Sequence, residues 1–279
     1  MNVYRHRRKA GTGLPEKKAD EARDSIREDA DDRGRPMTEE EWLACEDPAR
    51  MRAFLEAQRG VVDNLLGRLV RKWLGGKSVA LSKRRVLLFA TACCRQVWDH
   101  LGREERALVE AVDANADNLA SRGAIRECRL ALAHNGRMTE IASELIAVAA
   151  HRPWLFDFDP AGDGTSLGSL MESVANQVVA EQAEMADTIP PVVREQATLL
   201  RDIAGNPFRP TTLASVWRTS TALALAQQMY ESRDFSTMPI LADALQDAGC
   251  ENADVLDHCR GVGPHVRGCW VVDLVLSKE

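Results

Sequence analysis

Three cysteines and two histidines lie within twenty residues near the C-terminal end of the sequence. They are Cys250, His258, Cys259, His265 and Cys269, with the spacing Cys-x7-His-Cys-x5-His-x3-Cys. Thiolates and imidazoles are the usual protein ligands of zinc, and four of the five are enough for a tetrahedral site. The set we consider first is Cys250, Cys259, His265 and Cys269, with His258 as a substitute ligand or an outer partner. No close Cys-x2-Cys pair is present, so zinc is a hypothesis here and not a motif match.

Two other interpretations of the same residues stay open. The first, which we favour, is packing without any cofactor, because free cysteine behaves as a small buried hydrophobe. His258 would then interact with the C-terminal end of a helix, where a cation is favourable. The second is an enzyme that uses a cysteine with a histidine, for example Cys259 with His265. That chemistry requires an accessible thiolate in an electropositive setting.

The same segment contains candidate binding residues. Arg260 and Arg267 flank the break Gly261–Pro264 before the last predicted helix, whose free N–H groups would favour an anion. Pairing with a nearby aspartate is the simpler use of these two arginines. Trp270 is a candidate for contact with a protein partner.

Apolar residues recur with helical spacing along most of the chain, and no stretch alternates with the period of a strand. We therefore predict an all-α fold, an orthogonal or bundle-like array of about ten helices without a sheet. Capping signals at Thr38, Asp47 and Asn252 mark helix starts. Further helices are predicted at about 83–101, 104–120, 122–134, 138–151, 167–186, 191–204 and 213–232, with three more at 239–248, 252–260 and from Pro264.

Residues 59–85 are basic in an otherwise acidic chain, with eight basic residues and one acidic residue. Paired apolar residues predict an amphipathic helix across the insertion 60–82, with Trp73 on its apolar face. Its polar face carries Arg68, Arg71 and Lys72, which would suit a protein partner or an anionic membrane surface. A core helix with a solvated basic face is the simpler interpretation.

The first 36 residues differ in composition from the rest. They hold ten basic and eight acidic residues with few large apolar ones, which predicts a disordered charged tail. Met37 begins the sequence MTEEEW and is a candidate translation start. Residues 37–279 are then one helical domain that ends in a C-terminal helical motif, 238–279. This body is more acidic than the whole chain, which makes a nucleic-acid partner unlikely for it.

The chain has seven cysteines without a disulfide-like framework, and no apolar run long enough for a signal peptide or a membrane span. These features predict a cytoplasmic protein. No catalytic constellation emerges, because the GxSxG match at 164–168 follows a polar loop instead of a buried strand. A non-catalytic interaction or scaffold module is therefore the first functional hypothesis, with the zinc-stabilised module and the Cys/His enzyme as alternatives.

Several segments resemble one family of paralogous planctomycete proteins. They are MTEEEWLACEDP (37–48), LLFATACCRQVW (87–98), LLRDIAGNPFRP (199–210), MPILADALQDAGC (238–250) and DHCRGVGPHVRGCWVVDLVLSKE (257–279). The resemblance covers most of residues 37–279 and is most specific in the last eighty. The 60–82 insertion is longer than the family pattern. The resemblance implies kinship and carries no activity with it.

Overall fold

A computed structural model describes residues 36–63, 81–136, 139, 141–142, 173 and 191–278. These residues form ten α-helices and two 3-10 turns without any strand among them, which confirms the all-α prediction. The helices predicted at 138–151 and 167–186 fall mostly outside the described residues. The tail 1–35 and the side chains of Arg68, Arg71, Lys72 and Trp73 fall outside them as well.

The described part of the chain contains two sets of five helices. The first five are α1 (Glu39–Ala44), α2 (Pro48–Asp63), α3 (Lys83–Gln96), α4 (Arg103–Ala116) and α5 (Arg122–His134). The second five are α6 (Pro191–Ala204), α7 (Ser220–Ser232), α8 (Met238–Asp247), α9 (Ala253–Arg260) and α10 (Trp270–Leu276). The 3-10 turns are Trp98–His100 and Ser215–Trp217. All of these helices belong to the unit Thr38–Glu279.

Local capping explains several helix starts. The Thr38 side chain accepts from the N–H of Glu41, whose carboxylate accepts from the N–H of Thr38, so the predicted capping box is confirmed. Asn252 Oδ1 accepts from the N–H of Val255 over 3.1 Å and starts α9. Each cap satisfies an N–H group that the first helical turn leaves without a partner.

Three predicted boundaries were wrong. A new helix was expected at Gly60, but α2 continues through it to Asp63. The helix expected from residue 213 begins at Ser220, where Thr219 supplies the cap. The last helix begins at Trp270 and not at Pro264. The reason is that Gly268, which lies inside the predicted helix, has a φ of +98°, which is incompatible with a right-handed helix.

The helices pack into a continuous arrangement around α6. Helix α3 packs against α4 and α6, and α6 also packs against α2 and α10. Helices α7, α8, α9 and α10 enclose an apolar cluster that includes Met229, Leu241, Val255 and Val271. The segment 261–269, between α9 and α10, is thereby held beside the end of α6.

A buried ion-pair network fixes α10 against α3. Arg84 donates to both carboxylate oxygens of Asp273, over 2.5 and 2.9 Å, and to Asp117 over 2.7 Å. It also donates to the hydroxyl of Tyr230 over 2.6 Å. These contacts join α3, α7, α10 and the end of α4.

No helix in the described part of the chain has the length and apolar character needed to cross a membrane.

Candidate metal centre

Four potential ligands converge where α6, α9 and the segment 261–269 meet. They are Asp202 from α6, His258 from α9, His265 from the segment, and Cys269 just before α10. One ligand atom of each lies within 4.8 Å of all the others. This group could hold a metal ion.

The separations suit a tetrahedral ion. Asp202 Oδ1 lies 2.9 Å from His265 Nδ1 and 3.1 Å from His258 Nε2. His258 Nε2 lies 3.2 Å from Cys269 Sγ. A tetrahedral zinc with bonds of about 2.0–2.3 Å separates its ligand atoms by about 3.3–3.6 Å. Small side-chain shifts would therefore bring the four atoms to ligand spacing.

Asp202 lies in an environment that usually disfavours a carboxylate. It is in the last turn of α6, where the helix dipole is negative, and its side chain is only 3% exposed. Burial raises the pKa of Asp202, but the hydrogen bonds and charges of His258 and His265 outweigh burial and lower it. The two imidazoles therefore stabilise the ionised form of this buried carboxylate.

The backbone around the two glycines places His265 and Cys269. A Cβ on Gly263 would lie 2.9 Å from the backbone nitrogen of His265, so only glycine fits this turn. A Cβ on Gly268 would lie 2.9 Å from Leu88 Cδ1, so glycine permits close approach of the segment to α3. Between them, the N–H of Cys269 donates to the carbonyl of Val266 over 2.8 Å. The turn directs His265 and Cys269 to one side.

Cys269 is a poor nucleophile in this setting. It is fully buried, and burial together with the nearby Asp202 raises the pKa of its thiol well above the usual value. His258 contacts both Cys269 and Asp202 through the same nitrogen, Nε2. A catalytic triad needs two different ring nitrogens, one for the nucleophile and one for the carboxylate. The geometry is that of converging ligands.

The centre is nearly closed to solvent. The side chains of His258 and His265 are 20% and 8% exposed. The ring centre of His258 lies 4.9 Å from that of His265 and 5.1 Å from that of Trp270. Trp270 in turn packs on Gly205, just after α6, because a Cβ there would lie 3.2 Å from its ring. Aromatic rings therefore cover the outer side of the centre.

The structure brings together three of the five residues that the sequence singled out. His258, His265 and Cys269 belong to the group, whereas Cys250 and Cys259 are buried in the apolar cluster of α7–α10. Burial raises the pKa of Cys259 to about 12.

Asp202 was not among the residues singled out from the sequence. The sequence feature that could have identified Asp202 is its position between Leu200 and Ile203, where a carboxylate interrupts the apolar side of α6.

The arginine candidates are already paired. Arg260 is exposed and donates to Asp243 over 3.0 Å, one of the partners expected from the sequence. Arg267 pairs with Asp117 over 2.8 Å and with Asp113 over 3.4 Å, neither of which lies in the C-terminal segment.

Comparison with models of protein families, with curated proteins and with solved structures found no match. The resemblance to planctomycete proteins stays a prediction.

Proposed function

We propose that this protein is a zinc-binding helical module in which Asp202, His258, His265 and Cys269 hold one ion. The observation that carries the proposal is the convergence of four ligand atoms within 4.8 Å in a nearly closed centre. Carboxylate, imidazole and thiolate together suit zinc among the common divalent ions.

Charge balance supports zinc. One carboxylate and one thiolate with two neutral imidazoles carry two negative charges, which a divalent cation neutralises. A buried centre without net charge avoids the cost of desolvating an unpaired charge. Binding would also convert the buried thiol of Cys269 to a thiolate, with release of its proton.

The role that we propose for the ion is structural. Four protein ligands complete a tetrahedral shell, whereas catalytic zinc keeps one position for water or substrate. The ligands come from α6, from α9 and from the segment 261–269, which the ion would fasten together ahead of α10. The Val266 N–H, which donates to Asp202 Oδ2 over 2.9 Å, orients the other carboxylate oxygen toward the ion.

The other two hypotheses have less support. Among the described residues no hydrogen bond joins Cys259 to His265, and Cys259 is fully buried. An interaction or scaffold role stays a prediction, because the basic residues proposed to contact a partner fall outside the described ranges. It is compatible with a zinc-stabilised fold.

The test is metal analysis of the full chain without a histidine tag, before and after reconstitution with Zn²⁺ or Co²⁺. We expect one zinc per chain and, with cobalt, a thiolate charge-transfer band. Cys269→Ser should abolish that band and lower zinc retention. Cys250→Ser is the matched control, because Cys250 is also buried in the C-terminal half but does not belong to the group.

Two results would overturn the proposal. One is wild-type protein that takes up no metal on reconstitution, which would leave the four side chains as a hydrogen-bonded polar core. The other is a loss of metal in Cys250→Ser as large as that in Cys269→Ser. Circular dichroism of each variant checks that the helices remain.

A further inference from the structure

A second candidate site lies on the other side of the segment 261–269. A cavity of about 110 Å³ opens between that segment, α3, α4 and the end of α7. Three of its lining residues are arginines, Arg95, Arg233 and Arg267. His265, which belongs to the metal group, also lines it. The zinc proposal uses Nδ1 of His265 and assigns no role to the other residues that line this cavity.

The three arginines converge on one carboxylate. Asp113 Oδ2 accepts from Arg95 over 3.3 Å, from Arg233 Nε over 3.2 Å and from Arg267 over 3.4 Å. Glu110 accepts from Arg95 over 2.8 Å and from Arg233 over 2.6 Å. Arg267 also donates to Asp117 over 2.8 Å, so the three guanidinium groups contact three carboxylates, those of Glu110, Asp113 and Asp117.

The wider network of ion pairs that includes these three arginines has an excess of positive charge. Asp117 joins Arg267 to Arg84 and Lys278, and Arg84 joins Asp273. Among the residues that the structure describes, this network has five cations and four carboxylates. The cations are Arg84, Arg95, Arg233, Arg267 and Lys278, and the carboxylates are Glu110, Asp113, Asp117 and Asp273. One further anion would balance it.

The lining residues also carry polar atoms without partners. Arg267 Nε and His265 Nε2 are buried and have no hydrogen-bond partner in the described part of the chain, and neither does Asp113 Oδ1. Buried polar atoms without partners are costly. A ligand with a hydrogen-bond acceptor, bound in the cavity, would lie beside Arg267 and His265, the two residues that carry these unpartnered nitrogen atoms.

The remaining wall selects the kind of anion. Leu88, Ala92 and Phe235 add apolar surface to the lining of the cavity. Its volume is well below the roughly 300–1,000 Å³ of pockets for drug-sized ligands. The geometry points to a binding site for a short-chain organic carboxylate. Its carboxylate pairs with the guanidinium groups, which suit this planar anion, and its chain packs on the apolar part of the lining.

The test is calorimetric titration of the full chain with butyrate, butanol and inorganic phosphate. We expect butyrate to bind at least about tenfold more tightly than either of the others, because only butyrate offers both the charge and the chain. Phosphate binding as tight as butyrate binding would overturn the assignment, and so would no binding of butyrate.

Two variants locate the site. Ala92→Met fills the cavity without a change of charge, and Arg233→Gln removes a positive charge from its wall. Each should weaken butyrate at least about tenfold, because each removes one of the two features that butyrate needs. Arg129→Gln, on the exposed face of α5, should have no effect. Unchanged butyrate affinity in both variants would place the binding elsewhere and overturn the proposal.

The assay separates this inference from the zinc proposal. The titrations are made on zinc-treated protein and on protein treated with a chelator. Butyrate binding without zinc uptake would support the cavity site and contradict the zinc proposal. Zinc uptake without butyrate binding would refute the cavity site only.

Discussion

The backbone N–H of Val266 donates to Asp202 Oδ2 over 2.9 Å, across 64 positions of sequence. This bond ties the segment 261–269 to the end of α6 and fixes the carboxylate. The other oxygen, Oδ1, is thereby left facing His258 and His265. One backbone contact thus holds a carboxylate oxygen between two imidazoles.

Asp202→Asn should separate the backbone contact from the metal contact. The amide oxygen of asparagine can still accept from Val266, but a neutral amide is a weak zinc ligand. Zinc affinity should fall by more than about 100-fold, the upper end of the loss seen for outer-shell partners. Competition with a chromophoric chelator measures it. Affinity equal to that of the wild type would contradict the assignment of Asp202 as a ligand.

Acid unfolding of the metal-free protein should depend on Asp202. The pKa of Asp202 is lowered in the folded state, so its contribution to stability is complete above its unfolded pKa, about 3.9. That contribution is lost as pH falls toward the folded pKa, by up to about 1.4 kcal/mol per pH unit. Urea unfolding at a series of pH values below 5 should therefore show a steeper loss in the wild type than in Asp202→Asn. Equal slopes would contradict the lowered pKa.

The close approach of Gly268 to α3 should make it sensitive to substitution. Gly268→Ala places a Cβ 2.9 Å from Leu88 Cδ1 and also strains a φ of +98°. We expect a loss of about 3 kcal/mol in unfolding free energy. Gly136→Ala is the matched control, because its φ is +62° and nothing lies within 4 Å of the added atom. Its loss should be about 1 kcal/mol, and similar losses at both sites would argue against the close packing.

The buried pair of Arg84 and Asp273 should matter more than an exposed pair. Asp273→Asn leaves the Arg84 guanidinium partly uncompensated in a buried setting, at a cost of about 3–5 kcal/mol. Asp243→Asn removes a partner of Arg260 at the surface, where about 0–1 kcal/mol is expected. Urea unfolding of both variants compares them directly. If Asp273→Asn lowers the free energy of unfolding no more than Asp243→Asn does, then Asp117 alone is enough to compensate the charge of Arg84.

Local sequence signals predicted the helices well, and the site only in part. The caps at Thr38 and Asn252 depend on residues three positions apart, which a sequence displays directly. Asp202 lies 63 positions from His265, and only tertiary packing brings them together.

Two candidate ligands that are adjacent in the sequence, His258 and Cys259, point in different directions in the structure. Adjacent residues on a helix point about 100° apart, so α9 directs His258 to the centre and Cys259 into the apolar cluster. The wrong start of α10 has a different cause. Pro264 suits a first helical turn, but the positive φ of Gly268 is incompatible with a helix there, and the helix begins only at Trp270.

The rate at which each cysteine reacts should depend on its exposure to solvent, so the C-terminal cysteines should not be the most reactive ones. Six of the seven cysteines are buried, and Cys128 on α5 is half-buried. Burial raises the pKa of Cys259 to about 12, and burial also raises the pKa of Cys269 well above its usual value. Iodoacetamide at neutral pH should therefore label Cys128 first, and Cys128→Ser should remove the fast phase.

Mass spectrometry of time points identifies the labelled residue, with urea-unfolded protein as the control in which all seven cysteines react. In the folded protein, Cys259 and Cys269 should react only at the rate at which the C-terminal region opens, because the thiolate requires both access and ionisation. Added zinc should slow labelling of Cys269 further and leave Cys128 unchanged. Rapid labelling of Cys259 or Cys269 in the folded chain would instead favour the Cys/His enzyme over the zinc module.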